Sequence, residues 1–592
     1  MSATRREAVD VVVVGLGWSG SIMAKELADA GLQVVALERG EQRDTYPDFA
    51  YPRIADELTY GIRYKLFQNL ARETVTLRHG LADRAVPYRR LGAFLPGNGV
   101  GGAGVHWNGM HWRMQPYDLK LRSNTLERHG KAAIPEGMTI QDWGVSYEEL
   151  EPCFDRFEKV CGTAGQAGNL QGRILPGGNP FEAPRRSPYP TAALKTFYSG
   201  ELLKAGALEL GLHPFASPAA NCSEAYTNPY GLQLGPCNYC GFCERFGCYL
   251  YSKASPQSTI LPALYRQANF ELRTQAQVIR INTDSSGRKA TGVTYIDSQG
   301  REVEQPAELV ILSAYQLHNV RLLLLSKIGK PYDPRTGEGV VGKNYAYQMN
   351  AGVSLFFDKN THFNPFIGAG GGTVALDDFN SEAFKAGQRD FIGGAYLSVG
   401  SSGGRPIQQA LLPDDAPTWG SGWKQALRDS YGHSMSLGAE GSNMAYRDCY
   451  LDLDPNYRDV HGLPLLRMTF DWKANDIRQG RFMAERLSEI ARVLGPRKIV
   501  VHAPAFGEHF NAISYQSTHN TGGAIMGEDP KQSVLNKYLQ CWDVPNLFVL
   551  GASAFPQNMA YNPTGMVGAL AYWAAQAIRE RYLRDPGPLV DA

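Results

Sequence analysis

The stretch VDVVVVGLGWSGSIMAKELADAGLQVVALERG, residues 9–40, leaves few folds open to the start of this chain. Its valine run Val11–Val14 has the composition of a strand buried on both faces. Gly15, Gly17 and Gly20 then fit G-x-G-x-x-G. The first glycine permits a tight turn, the second lets backbone approach a pyrophosphate, and the third lets helix pack closely on strand. The N-terminus of that helix offers free N–H groups and a positive dipole end to phosphates. A second strand ends at Glu38, about twenty residues on, where a carboxylate can take hydrogen bonds from ribose hydroxyls. The pattern predicts a strand–helix–strand unit that binds a dinucleotide. It does not separate FAD from NAD.

At 592 residues the chain is expected to form two or more folding units. A net charge of +1 argues against wrapping nucleic acid, which needs a clustered basic face. The 64 glycines and 35 prolines point to many turns and long connections, as in a loop-rich enzyme. No apolar run reaches the roughly 18 residues of a membrane-spanning helix. The N-terminal residues carry no apolar stretch and cleavage site of the export type. Alone, that reads as cytoplasmic, a reading that an export signal on a partner would override.

Two further stretches favour FAD. GNGVGGAGVHWNGMHWRMQPYD (97–118) is glycine-rich and runs into His106 and Asn108, so its backbone can lie against a flat, extended cofactor. Residues 517–578 hold HNTGG, MGEDP, a strand-like NLFVLG, and a helix that follows Asn562, Pro563 and Thr564. With the first glycine motif these stretches, in this order, resemble the glucose–methanol–choline (GMC) family of FAD oxidoreductases. Residues 277–329 match that family's returning hairpin and strand. The resemblance leaves out roughly 346–500. It implies an α/β chain, α+β overall, with a Rossmann-like FAD domain and an antiparallel-sheet substrate domain. It implies cofactor contacts at Gly15, Gly17, Gly20 and Glu38, at Gly101, Gly102, His106 and Asn108, and at Val278. In the C-terminal block the implied contacts are Gly551, Ala552, Asn562, Pro563 and Thr564.

Alcohol oxidation by a flavin needs a hydride acceptor, a base near the hydroxyl and groups that orient the developing alkoxide. Histidine suits the base, with an ordinary pKa of about 6.5. The resemblance places His519 at the family's catalytic histidine and Asn562 at its second position, against the substrate oxygen. A histidine can also be a packed core residue, and Asn562 can cap the helix behind it. His502 and His509 are lesser candidates for the pocket wall. His106 matches the position where some members tether the flavin covalently, although Val105 before it departs from their pattern; packing on the flavin is the alternative.

GPCNYCGFCERFGC, 235–248, gathers Cys237, Cys240, Cys243 and Cys248, four of nine cysteines. The short spacings and lack of an export signal disfavour disulfides. Zinc would ask for two separated knuckles or histidines at ligand spacing. A redox C-x-x-C needs only two thiols. The run is near the ferredoxin-type pattern without matching it, and ordinary packing cysteines are a further reading. The segment resembles that of the flavoprotein subunits of membrane-associated bacterial sugar dehydrogenases, within the GMC family. That resemblance implies a [3Fe–4S] cluster on Cys237, Cys243 and Cys248, with Cys240 lacking a clear counterpart. It further implies a sugar or sugar-acid substrate, a small subunit bearing the export signal, a multihaem cytochrome c membrane subunit, and a place on the periplasmic face of the inner membrane. The expected division is an FAD domain of 1–115, 251–345 and 516–592, a substrate domain of 116–220 and 346–515, and a cysteine loop at about 221–252.

Overall fold

The computed structural model describes residues 4–49, 66–89, 94–381, 389–400, 411–512 and 517–591. The valine run forms the strand Val9–Val14, with Val11, Val12 and Val13 fully buried. It pairs in parallel with Val34–Leu37 on one side and with the C-terminal half of Glu302–Leu312 on the other. Phe270–Arg273 and Leu547–Val549 extend the parallel set. The N-terminal half of Glu302–Leu312 instead pairs antiparallel with Ala290–Ile296, which pairs with Gln277–Thr283. One long strand therefore joins a parallel dinucleotide-type sheet to an antiparallel hairpin.

The helix Trp18–Asp29 buries nearly all of its side chains and packs on the C-terminal helix Thr564–Ala577. Thr564–Ala577 packs in turn on Tyr147–Cys161, whose Ser146 and Glu149 form a capping box.

A six-stranded sheet runs in the order Lys498–His502, Met349–Phe356, Ser434–Gly441, Ala395–Val399, Val374–Leu376, Phe215–Ala216, antiparallel throughout. In Ser434–Gly441 burial alternates strictly. Met435, Leu437 and Ala439 enter an apolar core with Met483, Leu487 and Ile490 of the amphipathic helix Ala474–Val493. With side chains alternating between faces, Ser436, Gly438 and Glu440 turn the other way, toward the cleft. A third sheet joins Tyr450–Arg458, Pro464–Thr469, Val75–Arg78 and Val86–Pro87.

The cysteine run is tied to two other segments. Arg245 N–H donates to the His106 carbonyl at 2.7 Å, and Gly241 N–H to the Gly368 carbonyl at 3.0 Å. Among the described residues no helix is long and apolar enough to cross a membrane.

Candidate active site

A cleft of about 330 Å³ opens at the C-terminal ends of the parallel strands, where open α/β sheets bind their ligands. Its glycines divide by role. Gly15 has φ +88° and a Cβ there would lie 2.7 Å from the Ser313 carbonyl oxygen, so only glycine makes the turn. A Cβ on Gly20 would lie 2.0 Å from the Gly15 carbonyl oxygen, so this residue sets helix-to-turn packing. Around Gly17, at the N-terminus of Trp18–Asp29, the nearest atom is 3.9 Å away, leaving room for a ligand. Glu38 follows Val34–Leu37; its carboxylate accepts from Leu16 N–H at 3.1 Å and Gly40 N–H at 2.9 Å, fixing the acid to the glycine turn.

Gly15, Gly17, Glu38, Gly102, His106, Asn108 and Val278 line this one cleft. So do His519, Gly551, Ala552, Asn562, Pro563 and Thr564. Segments more than 500 residues apart thus converge. Gly20 and Gly101 stand behind the wall; Gly101 donates its N–H to the Leu16 carbonyl at 2.8 Å and backs onto Gln257. His106 is buried, with its ring set against the Leu95 backbone. Burial, then the nearby Lys253 ammonium, push its pKa down to about 3. A neutral ring at the wall of a glycine-lined cradle fits a flat cofactor such as FAD.

The protonation state of His519 follows from its neighbours. Trp112 Nε1–H can only donate, so the Asn562 atom it meets at 3.0 Å is the carbonyl oxygen. Tyr396 donates to the same oxygen at 2.8 Å. The Asn562 amide therefore faces Glu440 Oε2 at 2.9 Å and His519 Nε2 at 3.4 Å. On the far side of the ring, Gln348 donates its own amide to the Ala560 carbonyl at 2.8 Å, which turns its oxygen to His519 Nδ1. His519 is thereby held as the Nδ1–H tautomer, with the Nε2 lone pair in the cleft. Burial pushes its pKa down to about 3. Asn562 does not cap the following helix: Pro563 is the N-cap residue, without a side-chain cap.

Glu440 completes the group. Its carboxylate lies 3.9 Å from His519 Nδ1 and keeps 26 % of its side chain accessible from the cleft. Burial, aided by Glu244 and opposed by the neighbouring Tyr396 hydroxyl and by the Asn562 amide, pushes it up to about 7. Tyr396 stands directly across the ladder from it. Glu440, Tyr396 and Gln348 were absent from the sequence reading because they lie at 346–500, where no motif anchored the register; Trp112 lay within the glycine-rich stretch without an assigned role. Asn108, Glu244 and Glu440 also border an adjoining cavity of about 360 Å³ lined by Ser354, Ser398, Ser436 and His502. His502 meets Ser354 at 2.9 Å there. His509 lies elsewhere: exposed, paired with Asp471 and stacked on His79.

Cys237, Cys240, Cys243 and Cys248 surround one small cavity. N–H donors meet three of the sulfurs: Tyr239 to Cys237 at 3.4 Å, Lys253 to Cys248 at 3.5 Å, and the Asn221 amide to Cys243 at 3.7 Å. Burial pushes the Cys237 thiol up to about 12 and the Cys240 thiol up to about 11. Among the described residues no three His, Cys, Asp or Glu groups converge as a single ion requires. A zinc ion needs its thiolates to meet at about 2.3 Å from one point, whereas these four sulfurs are spread around a cavity wall that Asn221, Asn238, Tyr249 and Ser252 also line.

A parallel sheet with a glycine turn for a dinucleotide, and a histidine–asparagine pair at the end of the same cleft, is an arrangement that suits an oxidoreductase. The family described as GMC oxidoreductase matches residues 143–350 and 445–571. The chain is 57 % identical to the gluconate 2-dehydrogenase flavoprotein of Pantoea cypripedii, over 100 % of this chain and 96 % of that one. It is 28 % identical to the 2-methyl-1,2-propanediol dehydrogenase of Mycolicibacterium austroafricanum, over 98 % and 96 %. Pyridoxine 4-oxidase from Mesorbium loti shares the fold, with a TM-score of 0.56 at 17 % identity over 97 % and 99 %. The chain belongs to the GMC oxidoreductase family, and it is an FAD-dependent enzyme acting on CH–OH groups.

Proposed function

We propose that this chain is the flavoprotein of a sugar-acid dehydrogenase that oxidises D-gluconate to 2-keto-D-gluconate. The observation that carries the reading is the His519 Nε2 lone pair, fixed by Gln348 and Asn562 and facing a cleft whose mouth is lined by the hydroxyls of Ser354, Ser398 and Ser436. The full-length similarity to a gluconate 2-dehydrogenase flavoprotein supports the substrate.

The bound flavin supplies a hydride acceptor for the carbinol carbon. His519 Nε2 takes the hydroxyl proton, and the Asn562 amide holds the substrate oxygen. As positive charge grows on the imidazole, the Glu440 carboxylate at 3.9 Å stabilises it. Ser354, Ser398 and Ser436 offer hydrogen bonds to the remaining hydroxyls. His106 packs on the flavin or tethers it; flavin that stays with acid-precipitated protein marks the tether. Cys237, Cys243 and Cys248 hold a [3Fe–4S] cluster, with Cys240 alongside, and the cluster when bound provides a one-electron exit. The acceptor is a multihaem cytochrome c membrane subunit feeding the quinone pool. A small subunit supplies the export signal, placing the complex on the periplasmic face of the inner membrane. The segments 1–115, 251–345 and 516–592 act as the FAD domain, with 116–220 and 346–515 as the substrate domain.

A second reading, a neutral sugar or polyol such as fructose, sorbitol or glucose, is favoured by the two carboxylates, Glu244 and Glu440, at the mouth. A substrate screen with an artificial electron acceptor, alongside iron and sulfide analysis, tests both. Gluconate is expected to give the highest kcat/KM, with iron and sulfide present. Preference for a polyol, or peroxide release by iron-free protein, overturns the reading.

A further inference from the structure

Lys253 is 1 % exposed, and its ammonium touches no carboxylate within hydrogen-bond distance among the described residues. Three backbone carbonyls hold it: Trp107 at 2.7 Å, Cys243 at 2.6 Å and Phe246 at 2.7 Å. A lysine ammonium has three donors and here meets three acceptors, so the charged form is the one the cage fits; a neutral amine would leave a carbonyl unmatched. One carbonyl belongs to the residue after His106, on the cofactor side. The other two belong to the cysteine run. The Lys253 backbone N–H also meets Cys248 Sγ, and its backbone bridges to Asn221, whose amide meets Cys243 Sγ. The same residue thus grips both loops and places a desolvated charge beside the sulfurs.

We infer that Lys253 is a positioning residue that locks the flavin-side loop to the thiol loop and, by its buried positive charge, raises the reduction potential of the iron–sulfur centre held there. The inference rests on the cluster reading above. Charge close to a cluster shifts its potential because reduction adds one electron, and a fixed cation favours the reduced form. In a water-poor setting that interaction is poorly screened. Such a shift steers electrons away from the cleft.

The experiment is a potentiometric titration of the iron centre in the intact holoprotein, comparing wild type with Lys253→Met and Lys253→Arg. Lys253→Met is expected to lower the midpoint so that the oxidised-to-reduced ratio at fixed potential rises at least tenfold, about 59 mV for one electron. Lys253→Arg, which keeps the charge, is expected to stay well inside that shift. Loss of iron from Lys253→Met alone, with flavin retained, also supports the inference. Should Lys253→Met fail to fold, Lys253→Gln takes its place, since its amide still serves two carbonyls. A charge-free variant with full iron and an unchanged midpoint overturns the inference and leaves the cluster reading standing, as does Lys253→Arg shifting as far as Lys253→Met. Wild-type protein without iron overturns both.

Discussion

Replacing Glu440 by glutamine keeps the shape of the site and removes one charge. Glutamine can still accept from the Asn562 amide, so the orientation of Asn562 between Trp112, Tyr396 and position 440 should survive. What is lost is the attraction between the carboxylate and the imidazolium that forms as His519 takes the substrate proton. At 3.9 Å that attraction is about 4 kcal/mol for an effective dielectric of about 20 and about 1 kcal/mol in bulk water. The site opens to the cleft on one side, so the effect lies between these limits. With tenfold in rate for each 1.4 kcal/mol or so, kcat is expected to fall by roughly 5- to 700-fold. The pH dependence gives the sharper signature. The Glu440 carboxyl is pushed up to about 7, so it is neutral below that pH and charged above it. His519, pushed down to about 3, does not titrate in the same window. Wild-type kcat should therefore rise through about pH 7, and Glu440→Gln should flatten the rise while matching wild type more closely at pH 6. Anaerobic stopped-flow reduction of the flavin at several pH values measures this. A variant within twofold of wild type above pH 8, with the same rise, would refute the electrostatic role.

Two further outcomes follow from the same geometry. His519→Asn should cost roughly 10²- to 10⁴-fold in kcat, the usual worth of a positioned base, with the flavin spectrum intact; loss of flavin instead would assign His519 a structural role. Gly17→Val and Gly20→Val should separate binding from folding. The first has open space at its Cβ and should yield folded, FAD-poor protein, whereas the second collides with the Gly15 carbonyl and should lower Tm sharply or prevent folding.

Residues 9–40 were legible because their chemistry is local: turn, helix N-terminus and strand-end carboxylate are set by neighbours in sequence. The same holds for the helix after Pro563. Glu440 was not legible. Its exposure to the cleft depends on the register of Ser434–Gly441 against Met349–Phe356 and Ala395–Val399, and a slip by one residue would send it into the core. Gln348, which sets the His519 tautomer, lies 171 positions from it in sequence. Lys253 gave no sign because an isolated lysine at the end of a loop reads as a surface residue; only the folded loops bring three carbonyls to it.

The central claim is that a carbinol hydrogen passes to FAD while the His519–Asn562 pair handles the hydroxyl. Anaerobic mixing of the holoprotein with D-gluconate, protiated or deuterated at C2, tests it most directly by following the flavin absorbance. The account predicts prompt bleaching, slower with the deuterated substrate, and 2-keto-D-gluconate in the quench. Flavin that stays oxidised with gluconate and with polyols, or bleaching with no dependence on the C2 isotope, would contradict it.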